Sequence, residues 1–273
     1  MKEERLKIYK MQNFNFHTHT YLCGHAVGEA EEYVLKAIEA GFKDLGFSEH
    51  LCYPDWDDAN ERIFYGKEDE YIAEINRLKA KYQQDINIYC GFEFEFFEDS
   101  IKHLEKMKSK CDYMICGQHA YDRKEHYYDN PEYCSDEYID MMSKQVERAL
   151  DLQLCKYVAH PDYFLLSKLD FSDSMKNSIR RIAEAVKRND AVLEINLKGM
   201  KYGTRDYEGI NSFYYPNYQV FKIIGEVGCK VVIGYDAHNP LDLLNRKRES
   251  EILAKFKDLN LNICDDLTIN DLK

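Results

Sequence analysis

The chain has 273 residues, 45% of them hydrophobic, and a formal charge of −12. Such a length fits one large domain or two small ones, and the apolar content suffices for a sizeable core, which excludes a disordered chain. The acidic balance argues against a general nucleic-acid surface, because gripping a phosphate backbone needs a basic face. No stretch approaches the ~18 apolar residues of a membrane helix, and Met1 to Lys10 is charged rather than signal-like, so the expectation is a cytoplasmic protein that meets neither nucleic acid nor membrane. Nine cysteines without a C-x-x-C pair read as reduced thiols, against a zinc ribbon or disulfide framework.

Taken in chain order, short apolar runs alternate with segments of helical period. Residues 14–16 read as a strand, followed by a helix over 28–40. The next pairs are 43–47 with a helix over 69–82, 86–94 with 99–109, and 113–116 with 136–150. Three more follow: 156–159 with 173–188, 191–195 with 217–227, and 230–235 with helical sequence to about 257. Strand–helix alternation argues for a parallel sheet. Seven units without a compositional break or linker predict closure into a (β/α) barrel spanning 1–273 as one domain. An open doubly wound sheet is the alternative, but no Gly-rich phosphate loop follows the first strand.

Seven of the nine histidines fall at or just past a strand end. His17 and His19 close the first strand and His25 follows in its loop. His50 follows the second, His119 the fourth, His160 the fifth and His238 the seventh. The third strand ends in Gly91-Phe92-Glu93-Phe94-Glu95, the seventh in Asp236-Ala237-His238. In a parallel barrel these ends converge on one face. Strand alternation turns His17 with His19, Glu93 with Glu95, and Asp236 with His238 to the same side, and sends Phe92, Phe94 and Phe96 toward the helices. Imidazoles two apart on a strand form a pincer for a metal. Any one of these pairs alone could be a hydrogen-bonded or turn residue; the conjunction of seven His, one Glu and one Asp at strand ends is what points to a metal cluster.

These residues resemble the polymerase-and-histidinol-phosphatase (PHP) superfamily, and within it the stand-alone histidinol-phosphate phosphatases. The resemblance rests on Asn15-Phe16-His17-Thr18-His19-Thr20, Cys23-Gly24-His25, Gly46-Phe47-Ser48-Glu49-His50 and Gly91-Phe92-Glu93. It continues through Gly117-Gln118-His119, Ala159-His160-Pro161 and Gly234-Tyr235-Asp236-Ala237-His238. It implies a distorted (β/α)7 barrel with three divalent metal ions (Mn, Fe or Zn). One ion would take His17, His19, Glu93 and Asp236; a second would share Glu93 and add His119 and His160; a third would take His25, His50 and His238. Glu95 is expected to orient a ligand histidine. Cations in such a site acidify water and offset charge on phosphate oxygens.

The resemblance also implies a basic residue near the phosphate after the sixth strand, where Lys198, Lys201 and Arg205 all qualify; Arg205 is favoured because guanidinium grips phosphate bidentately. The leaving alcohol is expected to take its proton from Asp206 or from a metal-bound water. Tyr21, Glu194 and Glu95 are expected to meet the ammonium and imidazole of a small-molecule substrate, L-histidinol phosphate. The alternatives are a PHP phosphoesterase acting on nucleotides, oligonucleotide ends or phosphotyrosine, a barrel hydrolase of C–N bonds, and a metal-dependent binding module.

Overall fold

The computed structural model describes residues 11–56, 60–124, 126–207 and 209–273; the charged stretch Met1 to Lys10 lies outside them. Seven strand–helix units follow one another. They are β1 (Phe14–Asn15) with α1 (Ala30–Glu39), β2 (Asp44–His50) with α2 (Glu68–Lys81), and β3 (Asn87–Phe94) with α3 (Ile101–Lys108). Next come β4 (Tyr113–Cys116) with α4 (Asp136–Asp151) and β5 (Tyr157–Val158) with α5 (Asp173–Arg188). After β6 (Val192–Asn196) an antiparallel hairpin, β7 (Thr204–Tyr207) and β8 (Ile210–Phe213), precedes α6 (Tyr218–Val227). The last unit is β9 (Lys230–Gly234) with α7 (Lys247–Lys255), and a short β10 (Asn262–Ile263) ends the sheet.

The sheet runs β1-β2-β3-β4-β5-β6-β9-β10 with every pair parallel. It curls until β1 meets the end of β9 through a parallel bridge between Thr18 and Ala237. Below that bridge side chains replace the ladder. The Gln12 amide donates to the Ile233 carbonyl at 2.7 Å and Asn15 Oδ1 accepts from the Tyr235 N–H at 3.0 Å. This mixed seam, with β10 docked on the same edge of β9, distorts the (β/α)7 barrel.

The helices form for local reasons. Ser172 caps α5 by accepting from the Met175 N–H, and Met175, Ile179, Ile182 and Val186 recur at three- and four-residue spacing on its buried face. Asn217 caps α6, which stops at Gly228 in the left-handed conformation (φ 73°). Along β3, Phe92, Phe94 and Phe96 pack in the layer between sheet and helices. The lower barrel interior is a separate apolar cluster containing Phe14, Phe16, Tyr113, Ile115, Tyr157, Val192 and Val232, closed from below by Leu267 and Leu272. Regular β1 ends at Asn15, which lets Phe16 pack into that cluster while His17, its neighbour, reaches Glu194 on β6.

Candidate metal centre

Above the apolar cluster the strand ends bring all nine sequence-selected side chains to one mouth. His17 Nε2 lies 3.1 Å from both His19 Nε2 and Glu93 Oε2, and 3.5 Å from Asp236 Oδ1. His19 Nε2 stands 3.2 Å from Glu93 Oε2 and 3.4 Å from Asp236 Oδ1. The other Glu93 oxygen faces His160 Nε2 at 2.8 Å and His119 Nε2 at 3.4 Å, and those two nitrogens are 3.2 Å apart. Farther out, His25 and His238 oppose their Nε2 atoms at 2.9 Å, with His50 stacked on His19. Glu93 is thus the shared member, one oxygen toward each inner group.

Whether these groups suit cations is decided by their other ends. His17 Nδ1 is 2.8 Å from Glu194 Oε1, His119 Nδ1 is 3.0 Å from Glu95 Oε1, and His238 Nδ1 is 2.9 Å from the Asp236 carbonyl. A ring whose Nδ1–H is so engaged presents Nε2 as a bare lone pair. One such nitrogen stands in each of three Nε2 pairs, His17 with His19, His119 with His160 and His25 with His238, whose members face each other at hydrogen-bond range, the two inner pairs also facing Glu93. Lone pairs in that arrangement repel unless positive charge stands between them, so the donor set fits divalent ions.

Protons register the same need. Burial disfavours charge on His17, yet Glu194, Asp236 and Glu93 hold its pKa well above the ordinary value. His19, equally buried, is carried to about 10 by Asp236, Glu49 and Glu93. By contrast, burial and neighbouring cationic groups depress His50 and His238, and take His25 to about 4. Burial would raise Glu93 and Asp236, but His17 and its neighbours, with Lys198 for Asp236, pull both carboxyls well down.

The backbone is bent to serve this mouth. Among the described non-glycine residues four have positive φ, and two of them are His160 (23°) and Asp236 (47°); such strain costs about 1–3 kcal/mol per residue and gathers at functional sites. At Gly117 a Cβ would come within 1.8 Å of Glu93 Oε1, and at Gly234 within 1.6 Å of Glu194 Oε1. The glycines of the G-Q-H and G-Y-D-A-H segments are the space those carboxylates occupy.

The PHP domain pattern matches residues 15–198. The chain belongs to the PHP family. It is 29% identical over 234 residues to a probable histidinol-phosphatase of Deinococcus radiodurans, covering 82% of this chain and 85% of that one. A probable histidinol-phosphatase of Schizosaccharomyces pombe is 25% identical over 256 residues, with 82% and 80% covered. Two solved structures share the fold. One is a Listeria monocytogenes protein described as a histidinol phosphatase (TM-score 0.69, 21% identity, 87% of this chain and 99% of that one). The other is histidinol phosphate phosphatase of Lactococcus lactis with zinc, L-histidinol and phosphate (TM-score 0.65, 17% identity, 93% and 96%).

In this PHP chain the mouth opens into a pocket of about 340 Å³. Lys198 and Lys201 enter it from the segment after β6, Tyr163, Tyr202 and Tyr215 wall it, and Glu61 and Asp129 also line it. Lys198 Nζ reaches within 3.0 Å of His238 Nε2 and 3.6 Å of Asp236 Oδ1. Burial first, then Lys198, lowers the pKa of Lys201.

The structure places four of the sequence-selected residues away from the pocket or in other contacts. Asp206 is exposed on the β7–β8 hairpin, where its Oδ1 accepts from the Gly209 N–H. Arg205 lies on the same hairpin with its guanidinium 4.9 Å from the Tyr214 ring, and neither residue lines the pocket. Glu194 is fully buried and consumed by His17, the Tyr157 hydroxyl, the His160 N–H and Asn196, so it positions histidines rather than meeting substrate. Tyr21 lines a separate groove with Leu22 and Phe64. Glu95, which does line the pocket, holds His119 and is itself gripped by Arg62 at 3.2 Å.

Sequence reading missed Arg62, which is buried against Trp56 at 3.6 Å and anchors the loop after β2. It also left Glu49 without a role. Its Oε1 accepts from the Thr20 N–H at 2.6 Å and its Oε2 faces His19 Nδ1 at 3.8 Å. The S-E-H segment held that signal for Glu49; nothing local marked Arg62.

Proposed function

We propose that this chain is a metal-dependent phosphomonoesterase acting on L-histidinol phosphate, releasing L-histidinol and phosphate in histidine biosynthesis. The observation that carries the reading is the convergence of bare imidazole nitrogens on Glu93 beneath a pocket with lysines and carboxylates both on its wall. The relatives with histidinol-phosphatase names, which align over more than four-fifths of the chain, support the substrate. All nine cysteines are free, which suits a cytoplasmic enzyme, and the whole chain works as one domain.

Three divalent ions (Mn, Fe or Zn), held by His17, His19, Glu93 and Asp236, by Glu93, His119 and His160, and by His25, His50 and His238, supply Lewis acidity toward water and phosphate oxygens. The chain's own residues do the rest. Lys198, already beside His238 and Asp236, draws the phosphate into the mouth, a task expected of Arg205. Glu194 and Glu95 lock His17 and His119 in the tautomer that presents Nε2. Asp129 and Glu61 give the ammonium of the amino alcohol its counter-charge, and Tyr163, Tyr202 and Tyr215 exclude water around the imidazole. With Asp206 outside the pocket, Lys201 takes over the return of a proton to the departing alcohol, since its lowered pKa loosens that proton.

The test is phosphate release by the purified chain from L-histidinol phosphate, nucleotides and phosphotyrosine, before and after chelation. Selective turnover of L-histidinol phosphate, lost on chelation and restored by Mn²⁺ or Zn²⁺, is expected. Equal turnover across the panel would remove the substrate, and undiminished turnover in chelator would remove the metals.

A further inference from the structure

The outer histidine group has a sulfur beside it that the nine-residue set leaves out. Cys23 is fully buried in the 3-10 turn Tyr21–Cys23 between β1 and α1. Its Sγ lies 4.0 Å from His25 Nε2 and donates to the Thr20 carbonyl at 3.3 Å. Cys23, His25 and His238 offer three ligand atoms within 4.8 Å of one another. Two nitrogens and a sulfur around one tetrahedral zinc ion stand about 3.3–3.5 Å apart, given bond lengths of about 2.0 and 2.3 Å. The 2.9 Å between the two Nε2 atoms and the 4.0 Å from sulfur to nitrogen bracket that spacing.

A second observation is independent of His25 and His238. His19 and Glu49 are both fully buried, and neither His19 Nδ1 nor Glu49 Oε2 has a hydrogen-bond partner. With Cys23 these two residues form another trio of ligand atoms within 4.8 Å. Unpartnered buried polar atoms are costly and mark a place built for something more. Here they face each other at 3.8 Å beside the sulfur.

We propose that Cys23 is a sulfur ligand for the cation held by His25 and His238, giving this one position a preference for thiophilic ions such as zinc or cadmium over manganese. The proposal rests on the metal-centre reading above. Every other donor in the mouth is imidazole or carboxylate, which suits Mn, Fe and Zn alike; a thiolate breaks that tie at one position. On binding, the S–H bond breaks heterolytically, a sulfur–metal bond forms and the proton passes to water, with no change of oxidation state.

Cobalt loading of the full chain tests this by spectrum rather than by rate. The wild-type protein is expected to show visible cobalt bands together with a near-ultraviolet sulfur-to-cobalt charge-transfer band. Cys23→Ser should keep the visible bands and lose the ultraviolet one, while Cys52→Ser, a buried thiol facing Glu68, keeps both. Cadmium affinity should fall on the order of tenfold or more in Cys23→Ser, with manganese affinity within about twofold. Visible bands without charge transfer in the wild type, or charge transfer that survives Cys23→Ser, would overturn the sulfur ligand and leave the metal centre standing. No cobalt uptake at all would overturn both. Should Cys23→Ser fold poorly, X-ray absorption of wild-type protein with one equivalent of zinc decides: a sulfur neighbour at about 2.3 Å is expected, and its absence refutes the ligand.

Discussion

Along β3 the barrel interior changes character within two residues. At Gly91 the missing side chain makes room for the Tyr113 ring, part of the apolar plug with Ile115, Val192 and Val232. At Glu93 a fully buried carboxylate faces five histidines. The lower half buries apolar area at a gain of about 25 cal/mol per Å². The upper half buries charge, bends His160 and Asp236 into left-handed backbone and faces lone pair to lone pair. The same strands therefore make stability at one end and consume it at the other, and the consuming end is the one that binds and reacts.

That contrast breaks most readily at Glu93, where the largest effect is expected. Glu93→Gln should lower kcat/KM by on the order of 10²–10³, because both inner groups lose their shared oxygen. Its melting temperature without metal should fall, since the histidines that hold this carboxyl's pKa down would lose their counter-charge. A rate within tenfold of the parent would show that the mouth is not the reacting centre. Next in size is the opposite substitution in the plug. Ile115→Ala should cost about 2–5 kcal/mol in urea unfolding, while the kcat of the protein that remains folded changes little. Lys198→Ala sharpens the picture at smaller scale: KM should rise roughly tenfold, more than kcat falls, as for a group that binds phosphate before and during reaction alike. An unchanged KM would hand the phosphate to another residue.

Much of this was legible in the chain. The histidine positions follow from strands ending where apolar runs end, and the β3 alternation correctly sends Phe92, Phe94 and Phe96 outward with Glu93 and Glu95 inward. What escaped depends on contacts between residues far apart in sequence. Leu267 and Leu272 close the barrel floor from a tail that carries no strand-like run, and Gln12 stands in for ladder hydrogen bonds at the β1–β9 seam. Glu194 carries the same side chain whether it touches substrate or a histidine, and only the packing of Tyr157, Asn196 and His17 around it decides. The segment after β6 read as an active-site loop, yet residues 204–207 pair with 210–213 instead, in register from Thr204 with Phe213 to Tyr207 with Ile210.

That hairpin supplies the smallest expected effect. Asp206 caps its turn through the Gly209 N–H, and the Arg205 guanidinium lies over Tyr214. Both residues thus have structural uses that leave the pocket untouched. Asp206→Asn and Arg205→Ala should each keep kcat/KM within about twofold, well below what removing a transition-state contact costs. Arg205→Ala should still lose about 0.5–1 kcal/mol of stability, the worth of a cation–π contact at a half-buried site. Steady-state kinetics beside a denaturant titration would separate the two readouts. A hundredfold loss in Asp206→Asn would mean that the hairpin closes over bound substrate and brings its carboxyl to the leaving group. The boundary drawn here between reacting mouth and supporting scaffold would then have to move outward to include β7 and β8.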